Sequence, residues 1–86
     1  MNIRLHRNFE KRYAKVPPGI RQQFRERRDV FAQNPFDPIL QNHALKGKYQ
    51  GYRSINITGD WRAVYKLIDR DTIVFVDLGT HSELYS

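Results

Sequence analysis

Residues 51–65 read GYRSINITGDWRAVY, and this stretch predicts two amphipathic strands joined by a tight turn. Ile55 and Ile57 alternate with polar residues, which is typical of a strand that buries one face. Thr58-Gly59-Asp60 supplies the turn, because glycine and aspartate adopt turn conformations readily. The alternation resumes over residues 61–67, so the apolar residues of both strands are expected to pack on one side of a sheet.

The polar residues of this hairpin are expected on the opposite face. Asn56 and Arg62 alternate with the apolar set and therefore point away from it. We expect helices to cover only the apolar side. Asn56 and Arg62 would then lie on a free face that is available for function.

Further elements follow on both sides of the hairpin. Residues 72–78 (TIVFVDL) are nearly continuous β-branched and apolar residues, as expected of a well-covered strand. Residues 2–6 alternate like a shorter strand. Asn8 is predicted to cap a first helix, whose buried stripe is Phe9, Tyr13 and Val16.

A second helix is predicted from about Pro18 to Gln33. Proline at its first turn suits a helix start, while Pro35 and Pro38 forbid continuation. Residues 39–44 are compatible with a short helix or a loop. The whole chain, residues 1–86, is therefore predicted to be one α+β domain. It has a strand, a two-helix hairpin and then a three-stranded antiparallel sheet, with the helices packed on one face.

Composition limits the classes of protein and site. The 86 residues contain no cysteine, so disulfides and thiolate metal sites are excluded. No apolar run is long enough for a membrane span or a signal peptide, which favours a cytoplasmic protein without a membrane partner. The first 33 residues hold nine Lys or Arg against three Asp or Glu, which equals the whole net charge of +6. This asymmetry favours an anionic partner, nucleic acid or an acidic protein segment, although it could simply keep a small domain soluble.

Histidines and one carboxylate are the candidate proton-transfer groups. His81 lies in a Gly-Thr-His turn after the last predicted strand, either as a surface residue or as a general acid or base near neutral pH. His43 is a second candidate, whereas His6 is assigned to structure or surface. Asp60 either satisfies turn amides or acts as a base. The histidines lack short metal-ligand spacing, so we expect no metal and no cofactor.

Basic residues crowd beside the hairpin. Lys46, Lys48, Arg53 and Arg62 favour phosphate contact over ordinary surface charge because they are so close together in sequence. Trp61 is compatible with the core or with stacking on a base.

The second half of the chain resembles the RelE/ParE superfamily of bacterial toxins. The resemblance covers residues 44–85 and rests on Ala-Leu-Lys-Gly, Gly-Tyr-Arg, Gly-Asp-Trp-Arg-Ala-Val-Tyr and Asp-Leu-Gly-Thr-His-Ser-Glu-Leu-Tyr. Its last motif is similar to the end of the YafQ-type messenger-RNA interferases, which are toxins of type II toxin-antitoxin systems. The order of strands and helices predicted above also agrees with a RelE-like fold.

The resemblance implies an endoribonuclease that cuts messenger RNA on the translating ribosome and is silenced by a cognate antitoxin. Carried over by position, His81 and Asp60 are the catalytic histidine and carboxylate, and Tyr85 is the closing aromatic. We expect transesterification to a 2′,3′-cyclic phosphate, with Arg62 stabilising the phosphate and His43 as an alternative base to Asp60. The residues expected to contact RNA are Lys46, Lys48, Arg53, Asn56 and Trp61.

Two alternatives stay open. A ParE-like toxin would bind DNA gyrase without cutting RNA, and the histidines argue against it because binding alone needs no titrating group. An inactive homologue that only binds its antitoxin is suggested by Asn56, which stands where YafQ-type toxins often have histidine. The free toxin is expected to be monomeric and to form a higher-order complex with its antitoxin.

Overall fold

The computed structural model describes residues 1–85, which form five strands and three α-helices around one sheet. Two single-turn 3-10 helices, Pro38–Leu40 and Gly47–Tyr49, lie on either side of the second strand. The strands are β1 (Asn2–Leu5), β2 (His43–Ala44), β3 (Arg53–Thr58), β4 (Trp61–Asp69) and β5 (Thr72–Thr80). The helices are α1 (Arg7–Lys15), α2 (Pro18–Gln33) and α3 (His81–Tyr85).

The sheet has the order β1-β5-β4-β3-β2 and is mixed. The predicted antiparallel meander of β3, β4 and β5 forms its centre, which confirms the α+β class. The predicted first strand, β1, joins β5 as a parallel edge, and the two-residue β2 adds a fifth strand by pairing with β3. β1 and β5 can pair in parallel because the chain between them is long and includes the helices α1 and α2.

Helix boundaries follow the local signals closely, with one correction. The helix α2 occupies Pro18–Gln33 as predicted, beginning at proline and ending just before Asn34. The cap of α1 is His6 rather than Asn8, since the Nδ1 atom of His6 accepts a hydrogen bond from the backbone N–H of Asn8 at 3.0 Å. Asn8 is already inside the helix, and its side chain donates to the carbonyl of Val76 at 3.1 Å.

An aromatic core fixes the two long helices to the sheet. The rings of Phe9 and Phe24 lie 4.9 Å apart, and Phe24 meets Phe75 of β5 edge-on at 5.2 Å. Phe31 makes a similar edge contact with Tyr65 of β4 at 5.0 Å. Burial of several large aromatic side chains at this spacing is the main stabilising contribution in a chain without disulfides.

The register of the hairpin sorts its side chains as the alternation predicts. Ile55 pairs with Ala63 on the helix side, and Asn56 pairs with Arg62 on the other side. A bulge at Ile57 precedes the turn, where Gly59 adopts φ +51. A second bulge lies at Val76 in β5, because Val64 pairs with Asp77 and Tyr65 with Phe75.

The expectation of a free second face is only partly right. Ser54 and Val64 point to that face by register, yet both are fully buried. Part of the cover is the chain after Leu78, because β5 continues to Thr80 and residues 81–85 then form α3, which packs on β5. Leu84 is buried by this packing. The second face is therefore partly covered by the short helix α3, and polar groups lie around it.

No helix within residues 1–85 is both long and apolar enough to cross a membrane.

Candidate active site

The helix α3 is positioned by a capping box at its start. The backbone N–H of Thr80 donates to Oε1 of Glu83 at 2.8 Å, and the N–H of Glu83 donates to the Thr80 hydroxyl at 3.3 Å. Hydrogen bonding to the carboxylate from the Thr80 backbone N–H, and then from the Thr80 side chain, lowers the pKa of the Glu83 carboxyl below its ordinary value. The motif Thr-His-Ser-Glu therefore places His81 at the first position of a helix at the end of β5.

His81 and Asp60 lie at the same corner of the sheet. The backbone N–H of His81 donates to the carbonyl oxygen of Asp60 at 3.0 Å. Both side chains are exposed. The imidazole of His81 also packs edge-on against the ring of Tyr85, with the centroids 4.8 Å apart. An imidazole and a carboxylate thus project from adjacent backbone positions.

Arg62 lies one strand away from this corner, on the second face. It pairs with Gly79, two residues before His81. Its Nη1 atom is buried and has no hydrogen-bond partner among residues 1–85, and the same holds for the hydroxyl of Tyr85. Buried polar atoms are nearly always satisfied in native proteins. Two donors without partners beside an exposed imidazole therefore indicate a site for a hydrogen-bond acceptor, and the guanidinium favours an anionic one.

A hydrogen-bonded network adjoins Arg62 on the same face. Asp77 accepts a hydrogen bond from Nε of Arg12 at 3.1 Å and another from the hydroxyl of Tyr49 at 2.9 Å. Burial and the bond to Asp77 raise the pKa of the Tyr49 hydroxyl to about 12. Arg12 reaches this face because β1 ends at Leu5, which leaves the outer edge of β5 open to α1.

Gly79 makes room for this arrangement. A Cβ atom at Gly79 would lie 3.2 Å from Oε1 of Glu83 and 3.4 Å from Nη2 of Arg12. The glycine of the Gly-Thr-His motif therefore allows two charged side chains to approach the strand beside Arg62.

His43 lies at the far side of the same face. His43 pairs with Ser54 of β3, and Arg62 of β4 pairs with Asn56, two residues farther along β3. The backbones of His43 and Arg62 are therefore roughly 12 Å apart. Its Nδ1 atom lies 2.9 Å from the carbonyl oxygen of Gln41, and its Nε2 atom lies 3.4 Å from the Ser54 hydroxyl. Both ring nitrogens therefore have protein partners.

Asn56 shares the face with Arg62 but is engaged locally. Its Nδ2 atom donates to the carbonyl oxygen of Gly59 at 3.1 Å, which closes the hairpin turn. The hydrogen bond within the turn is therefore sufficient to explain an amide side chain at position 56 without a ligand.

Two other candidates lie on the helix side of the sheet. Arg53 pairs with Tyr65, donates to Oδ1 of Asn42 at 2.9 Å and lies 5.4 Å from the ring centroid of Phe36. Trp61 packs partly against the hydrophobic core. The fold does not bring these two side chains beside Arg62, because strand register assigns them to the other face.

The basic turn before the hairpin is on the second face. Lys48 has its Nζ atom 5.4 Å from the ring centroid of Tyr49, and this ring contacts Tyr85 edge-on at 6.1 Å. Lys46 is the exposed residue that precedes the 3-10 turn.

Sequence reasoning missed Arg12, Tyr49 and Asp77. A charged residue inside the apolar strand TIVFVDL was a usable signal for Asp77, since carboxylates are rarely buried unless paired. The Thr-His-Ser-Glu capping box likewise predicts a helix where only a tail was expected. Arg12 carried no such signal, because it is one of nine basic residues in the first 33.

Within residues 1–85, no three His, Cys, Asp or Glu side chains converge in a geometry that could hold a metal ion.

Comparison with known proteins agrees with this architecture. A family model described as a bacterial toxin of type II toxin-antitoxin systems, YafQ, matches residues 1–86. The curated mRNA interferase toxin YafQ of Escherichia coli is 35% identical over 51 residues, covering 59% of this chain and 54% of the relative. The aligned region thus spans about half the length of that relative.

Solved structures extend the likeness of the fold to the whole chain. The crystal structure of YafQ from Escherichia coli superposes with a TM-score of 0.79 at 23% identity, covering 99% of this chain and 98% of that chain. YafQ in the Escherichia coli DinJ-YafQ complex gives a TM-score of 0.70 at 22% identity, with 99% and 98% coverage. At this identity the structures establish the shared fold.

Proposed function

The chain belongs to the YafQ family of bacterial toxins from type II toxin-antitoxin systems, and on this premise we propose that it is an endoribonuclease that cleaves messenger RNA and thereby inhibits translation. Supporting this, the curated relative with 35% identity is named an mRNA interferase.

The observation that carries the proposal is the buried Nη1 atom of Arg62, which has no hydrogen-bond partner among residues 1–85. Leaving a buried charged donor unsatisfied costs more than a hydrogen bond contributes. A phosphate oxygen would remove this cost and bring the scissile phosphate beside His81. The Tyr85 hydroxyl, also without a partner among residues 1–85, is a second donor for the same substrate.

The proposed reaction uses the RNA's own 2′-hydroxyl as the nucleophile. The O2′–P bond forms while the P–O5′ bond breaks, which leaves a 2′,3′-cyclic phosphate and a free 5′-hydroxyl. A base accepts the 2′-proton, and an acid donates a proton to the departing O5′. Arg62 stabilises the negative charge that develops on the equatorial phosphate oxygens.

We assign the acid to His81 and the base to Asp60. Their backbones are hydrogen-bonded to each other, so the two groups can approach one phosphate from a common corner. His43 fits the role of base less well, because both of its ring nitrogens have protein partners and its strand lies farther from Arg62. We propose instead that His43 contacts the RNA beyond the site of cleavage.

Arg53 and Trp61 are left out of the proposed RNA contacts, since they lie on the helix side. The RNA contacts proposed on the second face are Lys46 and Lys48. Asn56 keeps its turn closed by hydrogen bonding and needs no part in proton transfer.

The proposed partners are a cognate antitoxin and messenger RNA on the ribosome, in the cytoplasm. The antitoxin follows from family membership and from the DinJ-YafQ complex of a protein with this fold. Ribosome binding is supported by the nine basic residues of the first 33, which suit ribosomal RNA.

Induction of the wild-type chain and of His81→Ala in bacterial cells, with mapping of new transcript 5′ ends, tests the proposal. Wild type should arrest growth and create 5′-hydroxyl ends, whereas His81→Ala should do neither while remaining folded by circular dichroism. Ser82→Ala, an exposed neighbour on the same helix, is the matched control and should behave as wild type. Growth arrest with intact transcripts and altered DNA supercoiling would favour a gyrase-directed toxin, and cleavage retained by His81→Ala would remove His81 from the mechanism.

A further inference from the structure

A cavity of about 390 Å³ lies on the second face, on the side of Asp77 away from His81. Its volume falls in the range of pockets for small organic groups. Val74 and Lys66 form its floor as a cross-strand pair of β5 and β4, and Tyr49 and Tyr52 line it from the turn before β3. The cavity therefore combines aromatic surface with a cation.

A row of aromatic rings connects this cavity with the catalytic candidates. The centroid of the His81 ring lies 4.8 Å from that of Tyr85, which lies 6.1 Å from that of Tyr49. Tyr49 in turn lies 6.0 Å from Tyr52. The rings continue from one to the next without a break, so a ligand extended along them would contact both the corner and the cavity.

Cations accompany the two tyrosines of the cavity. The Nζ atom of Lys48 lies 5.4 Å from the centroid of Tyr49, and the Nζ atom of Lys66 lies 5.6 Å from that of Tyr52. Asp77 is the carboxylate at the cavity wall, and its charge is balanced by Arg12. The remaining positive charge of the two lysines thus favours an anion that also carries an aromatic group.

We propose that this cavity binds a nucleotide of single-stranded RNA that flanks the scissile phosphate, with its base on Tyr52 and Tyr49 and its phosphate on Lys66 and Lys48. The inference rests on the proposed function and adds a second subsite to it. On binding, each lysine leaves its ring for the phosphate, which its flexible four-carbon stem permits. Because every base has an aromatic face, the subsite should bind RNA with little sequence preference.

The row of rings also determines how long the RNA must be. A dinucleotide can occupy only the corner of His81 and Arg62. A longer strand adds one stacked base and one phosphate at the cavity. Affinity should therefore rise between two nucleotides and about four, and the rise should depend on Tyr52 and Lys66.

Fluorescence anisotropy with labelled 2′-O-methyl oligouridine of increasing length tests this, because the blocked 2′-hydroxyl prevents cleavage. Tyr52→Ala should weaken binding of the longer probes by about 5- to 150-fold, the range observed for loss of a stacked base. Lys66→Gln should reduce the slope of log affinity against log salt by about one. Lys11→Gln, the same change at an exposed position of α1, should lose far less affinity.

Equal affinity of wild type and Lys66→Gln for all probe lengths would overturn the subsite, and so would equal affinity of a folded Tyr52→Ala. Lys66 is exposed, so Lys66→Gln tests the proposal even if Tyr52→Ala unfolds. Tighter binding of an oligoglutamate peptide than of RNA, with the same loss in both variants, would assign the cavity to an acidic protein segment and also overturn it.

The two proposals fail in different ways. RNA binding that depends on Tyr52, in a protein that leaves transcripts uncut, would remove the nuclease activity and leave the subsite. Cleavage by wild type together with unchanged RNA binding in both variants would remove the subsite and leave the nuclease activity.

Discussion

The backbone N–H of His81 donates to the carbonyl oxygen of Asp60 across 3.0 Å. This bond joins the first turn of the last helix to the turn of the central hairpin. It brings together two side chains that are 21 positions apart in sequence. The proposed acid and base therefore depend on strand pairing of β4 with β5 as much as on their own chemistry.

Arg62→Met should separate function from stability. Methionine keeps the apolar length of the side chain and removes the buried Nη1 atom that lacks a partner among residues 1–85. The free energy of unfolding should therefore stay equal or rise. Cleavage should fall by about 10²- to 10³-fold, as for loss of one donor to a transition-state anion. Urea unfolding and a cleavage assay on the same preparations measure both quantities.

Arg70→Met, at an exposed position of the β4–β5 turn, is the matched control and should change neither. A marked loss of stability in Arg62→Met would show that the guanidinium is structural and would contradict its assignment to phosphate.

Glu83→Gln should change how the free energy of unfolding depends on pH in the acid range. Because hydrogen bonds from Thr80 lower the pKa of Glu83 in the folded state, its contribution is present above the ordinary value near 4.5 and is lost as pH falls through the folded value. At neutral pH the variant should be less stable by about 0.5 kcal/mol, the lower end for a helix cap because the group is exposed. The difference should vanish in acid.

Urea unfolding from neutral pH to strongly acid pH measures this difference. Glu26→Gln, exposed on α2, should keep the wild-type profile. A constant gap between Glu83→Gln and wild type at every pH would show that the carboxylate charge is irrelevant to the cap.

Tyr49→Phe should remove a late step in alkaline titration. The pKa of Tyr49 is raised to about 12 in the folded state, so its contribution is complete below the ordinary value of 10 and is lost as pH rises towards 12. Ultraviolet absorbance of phenolate should show this late ionisation in wild type, and the variant should lack it. Tyr52→Phe should retain the late step, and a late step that survives in Tyr49→Phe would assign it to another group.

The rate of cleavage should not depend on EDTA. In the proposed reaction the acid, the base and the cation are the side chains of His81, Asp60 and Arg62, so removal of divalent ions should change the rate less than about twofold. Purified protein on ribosome-bound transcript, with and without chelator, measures this. Loss of cleavage that added Mg²⁺ restores, with intact ribosomes in both samples, would contradict the scheme.

The sequence by itself determined the features that depend on neighbours in the chain. Prolines at both ends defined α2 as residues 18–33, and Gly59 with the alternation around it defined the hairpin. The roles of Asn56 and Arg62 as residues of the second face followed from a period of two. These signals are local, because turn chemistry and side-chain alternation act over a few residues.

Only the tertiary structure decided which of the candidate side chains meet. Arg12 and Tyr49 reach Asp77 over separations of 65 and 28 residues. Arg53 and Trp61, which were expected to contact RNA, lie on the helix side of the sheet. Register, bulges and the open edge of β5 are set by packing among distant segments, and no local pattern encodes them. For that physical reason the composition of the site could be predicted in part, whereas its geometry required the fold.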